Sequence, residues 1–244
     1  MFIRYLISAL IVGVTASPVA DPHQRRQAVP IGSAIFSCTT GNTVALTFDD
    51  GPFAYTNQLL DTLAEAGIRA TFFLNGDNWA SIYDYTSTVQ RMVADGHQIG
   101  SHTWDHPDLT TLDASGIESE MTQLESAFLD ILGYFPTYMR PPFFSYNDQV
   151  LQTVGSLGYH VIIADIDTLD WENDSPEAIG ESIRLFTEDL DAGGSIALAH
   201  DVHEQTVLTL APAMIAAIQE RGLQAATVGE CLGDPESNWY RTSR

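Results

Sequence analysis

The sequence predicts an α/β fold whose strands close into a barrel, and three observations lead there. From Thr43 onward, short apolar runs alternate with segments whose apolar residues repeat at helical spacing, the pattern of strands crossed over by helices. No internal repeat, low-complexity tract or long linker interrupts residues 40–232, a length close to what one α/β barrel fills. The conspicuous polar motifs each fall just after a candidate strand, and in such barrels chemistry gathers at the C-terminal ends of the strands.

The expected strands, in order, are Val44 to Phe48, Ala70 to Leu74, Gln98 to Gly100, Thr137 to Arg140, Tyr159 to Ala164, Ser195 to Ala199 and Leu223 to Thr227. Ile117, Met121, Leu124, Phe128 and Ile131 are spaced by four, three, four and three, the stripe of an amphipathic helix. Val207, Leu210, Met214 and Ile218 repeat that stripe near the end. Asp113-Ala114-Ser115 and Ser175-Pro176 offer helix N-caps, and Gly67, Gly133, Gly158 and Gly222 offer C-terminal stops.

The chain opens with Met1-Phe2-Ile3-Arg4, an apolar core from Tyr5 to Val14 and the small-residue end Val14-Thr15-Ala16. Residues 1–16 therefore read as a secretory signal peptide. Residues 17–26 end in Arg25-Arg26 and read as a pro-segment cut by a processing protease, leaving residues 27–244 as one domain. No later segment is apolar for long enough to span a bilayer. The net charge is −22, which repels phosphate backbones and anionic lipid, so neither nucleic acid nor a membrane surface is an expected partner. The chain has no lysine, which excludes Schiff-base chemistry and a lysine-dependent phosphate loop. Cys38 and Cys231 are the only cysteines, and in an exported chain they are expected to form one disulfide.

The strongest chemical signal is Thr47-Phe48-Asp49-Asp50-Gly51-Pro52, two adjacent carboxylates on a turn after an apolar strand. About fifty residues later comes Ser101-His102-Thr103-Trp104-Asp105-His106, with two imidazoles four positions apart. A carboxylate with two neutral imidazoles is a three-ligand set for a catalytic divalent metal that keeps open positions. The second carboxylate is then free to be a base. Further on are Arg140-Pro141-Pro142-Phe143-Phe144, Asp165-Ile166-Asp167-Thr168-Leu169-Asp170-Trp171 and Ile196-Ala197-Leu198-Ala199-His200-Asp201.

With these motifs in this order over about residues 38–232, the sequence resembles the polysaccharide deacetylases of carbohydrate esterase family four, and within them the secreted fungal chitin deacetylases. The resemblance implies a distorted (β/α) barrel of seven or eight strands. It implies Asp49 as catalytic base, Asp50, His102 and His106 as metal ligands, and Arg140 as the partner that orients Asp49 and keeps it ionised. Asp170 would orient His200, the general acid, while Trp171 and Leu198 wall a pocket for an acetyl methyl. Phe143, where many relatives carry tyrosine, would offer its backbone N–H to the oxyanion. The implied substrate is chitin or chitooligosaccharide, deacetylated to chitosan and acetate by a monomer outside the cell or in its wall. O-acetyl xylan, peptidoglycan, or silent chitin binding on the same fold are the competing readings. Zinc is the first choice of metal, although an Asp-His-His site also accepts cobalt, nickel or manganese.

Aromatic faces on loops are the usual sugar platforms, and Trp79 and Tyr146 are expected to serve, with Tyr55 a weaker candidate. His97 is expected to brace the strand that presents His102, His160 to be structural, and His203 to lie at the rim. Asp165 and Asp167 compete with Asp170 for the orienting role. Asn173-Asp174-Ser175 is a glycosylation sequon, followed unfavourably by Pro176.

Overall fold

The computed structural model describes residues 28–244; the expected signal peptide and pro-segment lie outside the described residues. The strands are β1 (Ala34–Ile35), β2 (Thr43–Asp49), β3 (Thr71–Leu74), β4 (Gln98–Ser101), β5 (Phe135–Pro136), β6 (Tyr138–Met139), β7 (His160–Ile162), β8 (Ile166–Asp167), β9 (Ile196–His200), β10 (Gln224–Ala226) and β11 (Tyr240–Arg241). The helices are α1 (Thr56–Ala66), α2 (Thr86–Ala94), α3 (Ala114–Leu132), α4 (Asp148–Ser156), α5 (Ile179–Asp191), α6 (Ala211–Glu220) and the single turn α7 (Val228–Cys231).

The parallel sheet runs β1-β7-β6-β4-β3-β2-β9-β8, and β10 pairs with the beginning of β2. Ala45 pairs with both Ala226 of β10 and Ile196 of β9, so β10 shares with β3 the β2 edge that faces away from β9. β7 and β8 lie on one continuous stretch of chain, residues 160–167, with a bend at Asp165 between them. The first part pairs with β6 and β1, the second with β9. That run therefore joins the two ends of the sheet, curling it into a distorted barrel with no continuous ladder across the seam. The expected strand Tyr159 to Ala164 is correct as far as it goes, but it stops short of this second part. Of the five two-residue strands among the described residues, β1, β5, β8 and β11 are too short to carry periodicity, and only β6 falls within an expected strand, Thr137 to Arg140.

Parallel strands buried on both faces read as near-continuous apolar runs, and β2 is buried from Val44 to Asp49. Its two-residue alternation still assigns faces. Leu46 and Phe48 pack with Phe72, Leu74 and the helices, while Ala45 packs inside with Phe73, Tyr138 and Ile162. Thr47 and Asp49 share the inner face with Ala45, which places a carboxylate at the mouth of the barrel.

The stripe on α3 is buried as its spacing requires, the Asp113 carboxylate accepts the Gly116 N–H, and Gly133 ends the helix at φ 81°. Two expectations need correction. The α-helix expected to start at Ser175-Pro176 is regular only from Ile179, although Ser175 supplies the expected N-cap chemistry, its hydroxyl accepting the Ala178 N–H and its carbonyl the Ile179 N–H. The stripe from Val207 is not one α-helix: Thr206–Leu210 is a wide π turn that precedes α6. Pro212, without an N–H, cannot close the α-helical bond to Leu208.

Cys38 and Cys231 are bridged, with Cα atoms 5.0 Å apart and a sequence separation of 193. The bridge ties the segment before β2 to α7, and Thr39 and Thr40 reinforce it by donating to the Cys231 carbonyl. A loop of this length is stabilised by at most about 5 kcal/mol on the chain-entropy estimate. Alkylation of unreduced, unfolded protein is expected to label no thiol. The Cys38→Ala/Cys231→Ala pair should lower the melting temperature by several degrees, and two labelled thiols in the native chain would refute the bridge.

Candidate active site

Six strand ends converge at one rim of the barrel. Asp49 and His200 are the last residues of β2 and β9, Asp167 ends β8, and Asn75, His102 and Arg140 follow β3, β4 and β6 directly. At the centre is Arg140, fully buried. Its Nη1 donates to Asp49 Oδ1 at 2.8 Å and to Thr47 Oγ1 at 2.6 Å, Nη2 donates to the Ile163 carbonyl at 2.8 Å, and Nε to the Ile162 carbonyl at 3.3 Å. The guanidinium lies 4.4 Å from the centre of the Phe73 ring, a cation–π contact in a desolvated setting. Burial pushes the Asp49 carboxyl up to about 6, while Arg140 and His200 pull it the other way. Asp49 is therefore mostly ionised at neutral pH, with a proton affinity suited to a base.

The Arg140 carbonyl has a second role. It lies 2.7 Å from His102 Nδ1, and a carbonyl can only accept, so Nδ1 carries the proton and Nε2 presents its lone pair. Burial, then the neighbouring His106, holds His102 well below the usual histidine range and keeps it neutral. Asp50 Oδ1 lies 3.5 Å from His102 Nε2 and 3.3 Å from His106 Nε2. One ligand atom from each of Asp50, His102 and His106 lies within 4.8 Å of the others. Asp50 Oδ1 is buried without a hydrogen-bond partner. A lone buried carboxylate oxygen facing two neutral imidazole nitrogens fits a divalent cation, since the donor set is the one such ions take.

The backbone here is strained. Among the described residues, the non-glycine residues at positive φ are Asn42, Asp50, Thr103, His106, Phe143, Phe144 and Leu169, and all but Asn42 lie on these loops. Glu120 of α3 holds the histidine loop from beneath, its Oε2 accepting the Trp104 and Asp105 N–H groups at 3.0 and 3.1 Å.

Across the mouth, Asp170 Oδ1 meets His200 Nδ1 at 2.8 Å. Asp170 Oδ2 accepts the His200 N–H at 2.7 Å and the Thr206 hydroxyl at 2.6 Å, the last delivered by the wide π turn. Burial works against charge on His200, but Asp170, with help from Asp50 and Asp49, outweighs it and raises the imidazole to about 9. The proton on Nε2 is then available to the cavity.

That cavity holds about 520 Å³ and is lined by Asp49, Asp50, His102, His106 and His200. Phe143, Trp171, Leu198 and Trp79 complete its walls with Asp167, His203, Pro141 and Phe144. Tyr146 is not part of this lining; it is half-buried against the cluster of Met139, Val150 and Val154. Tyr55 likewise packs against the core and stacks edge-on with Phe53. The half-exposed Trp79 is held between Phe53 and His203, at 5.6 Å from each, and His203 pairs with Asp174 at 3.3 Å. Asp165 is spent on the Ser195 and Ile196 N–H groups, so of the three candidate acids only Asp170 is bonded to His200.

His97 accepts the Ala70 N–H and is pushed by burial down to about 4. It ties the start of β4, the strand that presents His102, to the start of β3. His160 meets the Pro30 carbonyl. The Asn173 amide donates to the Leu169 carbonyl and the Ser182 hydroxyl, leaving the sequon nitrogen engaged. Sequence reasoning missed Thr206 and Glu120, whose contacts are made across the fold and leave no local pattern.

Comparison with known proteins follows the same lines. A family model described as polysaccharide deacetylase matches residues 36–162. A chitin deacetylase of Pestalotiopsis sp is 58% identical over 238 residues, 97% of this chain and 78% of that protein. One from Colletotrichum lindemuthianum is 46% identical over 240 residues, 96% of each. The solved structure of the chitin deacetylase from the fungal pathogen Colletotrichum lindemuthianum superposes with a TM-score of 0.87 at 48% identity, covering 88% of this chain and 98% of that one. No helix among the described residues is long and apolar enough to cross a membrane. The family model over residues 36–162 and relatives 46% and 58% identical over nearly the whole chain make it a member of the polysaccharide deacetylase family.

Proposed function

We propose that the chain is a secreted, monomeric, metal-dependent hydrolase that removes N-acetyl groups from N-acetylglucosamine units of chitin or chitooligosaccharides, giving chitosan and acetate. The observation that carries this reading is the convergence, on one cavity, of a metal-ligand set, an ionised buried carboxylate and a charged imidazole. Two relatives that match nearly the whole chain are named chitin deacetylases, which favours chitin over acetylated xylan or peptidoglycan.

Asp50, His102 and His106 would hold the ion, zinc by preference. A divalent ion there supplies Lewis acidity, acidifying water and polarising a carbonyl. Asp49 takes the proton of the attacking water as the new C–O bond forms, and Arg140 keeps that carboxylate ionised until then. The Phe143 N–H, on the strained turn of the cavity wall, receives the developing oxyanion. His200 then gives its proton to the departing nitrogen as the C–N bond breaks. Leu198 and Trp171 confine the acetyl methyl, and Trp79 offers a face to a neighbouring sugar.

Mass spectrometry of chitotetraose is expected to show losses of acetyl mass that stop when a chelator strips the protein and resume when zinc is returned. Acetate release from acetylated xylan in place of chitotetraose would reassign the substrate. Full activity in protein shown to be metal-free by elemental analysis would remove the metal from the mechanism.

Asp49→Asn should keep its metal and its fold while kcat falls by at least about 100-fold, because an amide cannot take the proton. A folded, metal-loaded variant with near wild-type kcat would overturn the assignment of the base.

A charged His200 is the active form, so activity should fall as pH rises through about 9. Removing the Asp170 charge leaves burial dominant. In Asp170→Asn the alkaline limb of the kcat/KM profile should therefore move to lower pH, and an unmoved limb would show that another group titrates there.

A further inference from the structure

β3 contributes none of the three ligands, yet it lies between the two strands that do. With neighbouring strands about 4.8 Å apart, the ends of β2 and β4 stand roughly 9–10 Å from one another. Asp50, from the β2 side, and His102 with His106, from the β4 side, can therefore meet only by reaching across the tip of β3.

Asn75 occupies that tip, 2% exposed. Its backbone N–H donates to the Gly51 carbonyl at 3.1 Å, which fixes the turn carrying Asp50. Its Nδ2 donates to the carbonyls of His102 at 2.5 Å and Thr103 at 3.1 Å, which fixes the start of the histidine loop. Its Oδ1 accepts Asn78 Nδ2 at 3.2 Å. Both carbonyl partners can only accept, so the orientation of the amide is settled by its neighbours. The next residues continue the hold: Gly76 and Asp77 donate to the Trp104 carbonyl at 2.9 and 2.7 Å. The Trp104 ring packs so closely that a Cβ on Gly76 would lie 2.0 Å from it.

We infer that Asn75 is a positioning residue for metal binding, joining the Asp50 turn to the His102–His106 loop so that ligands from non-adjacent strands are presented together. The bonds it makes are to backbone carbonyls beside the ligands, and Thr103 and His106 hold positive φ, at 73° and 60°. Without the amide, that strained loop is free to relax and the imidazoles lose their shared focus. Outer contacts of this kind typically change metal affinity by about 10- to 100-fold.

This inference rests on the metal reading above, and the test separates the two. Cobalt(II) is titrated into metal-free wild type, Asn75→Ala and the core variant Leu190→Ala, with its visible absorption band read and zinc affinity taken from competition with a chromogenic chelator. Leu190 lies on α5, away from the cavity, and controls for loss of stability alone. Asn75→Ala is expected to need about 10- to 100-fold more metal and to show an altered cobalt band, while Leu190→Ala binds as wild type does. Should Asn75→Ala not fold, Asn75→Ser keeps the backbone bond to Gly51, loses the reach of the amide and is read in the same way. Wild type that binds no cobalt would refute the metal reading itself. Wild type that binds, with the folded Asn75 variant within twofold of it and an unchanged band, would refute the positioning role alone.

Discussion

A single buried cation organises the barrel mouth. Arg140 is drawn out of water completely, and in isolation that desolvation would cost several kcal/mol. It is offset because the guanidinium meets four acceptors on two segments: Thr47 and Asp49 on β2, and the carbonyls of Ile162 and Ile163 where β7 runs on toward β8. These contacts span the curled sheet from its first-paired region to its seam. The planar fork is what permits this, since a lysine presents one compact charge and cannot address both a carboxylate and two carbonyls. The Arg140 carbonyl then fixes the His102 tautomer, so one residue sets both the charge of the proposed base and the lone pair of a proposed ligand.

The mouth is also where backbone strain collects. Each non-glycine residue at positive φ costs on the order of 1–3 kcal/mol, and six of them lie on the loops around one cavity. Such a concentration persists only if the surroundings over-determine it. The holding contacts are visible: Glu120 beneath the Trp104 and Asp105 amides, Asn75 between the two ligand loops, and Asp170 gripping both the ring and the N–H of His200. Asp201 adds another, joined to Thr56 and packed so close to Gly51 that any side chain there would strike its carboxylate. Burial raises the Asp201 carboxyl to about 7. The packed helices and the disulfide supply the stability against which this strain is held.

Much of this was legible in the sequence where a residue acts through its own local pattern. β2, β3 and β9 announce themselves because parallel strands buried on both faces read as near-continuous apolar runs. Asp50, His102 and His106 stand out because their residue types and their places after strands both suit a metal. Legibility fails where a contact is made across the fold. Asn75 follows Leu74 and precedes Gly76, and Asn-Gly reads as an ordinary turn; nothing local shows that its amide reaches β4. Tyr146 had the right residue type on the right kind of loop, but its ring turns toward the α4 cluster. Ile166–Asp167 closes the seam with two residues, too few for any period to register. The break before α6 was readable in principle from Pro212, since its missing N–H was in the sequence all along.

The two buried carboxylates show why the cation beside each differs. Asp49 sits against arginine, which holds its proton across the whole physiological range, so the pair can change charge only by protonating Asp49. Asp170 sits against histidine, whose proton can leave near neutral pH, and the contact raises that affinity to about 9 without locking the proton in place. Asp170 itself is kept ionised: burial favours its neutral form, but His200, Thr206 and the His200 N–H together lower its carboxyl below the usual range. On the proposed mechanism one pair accepts a proton and the other releases one, from two walls of the same cavity. Exchanging the partners would abolish both tasks, because a carboxylate beside histidine would lose its fixed countercharge and an arginine in place of His200 could not give up a proton. The proposed division between base and acid therefore lies less in the carboxylates, which are chemically alike, than in the cations the barrel has placed beside them.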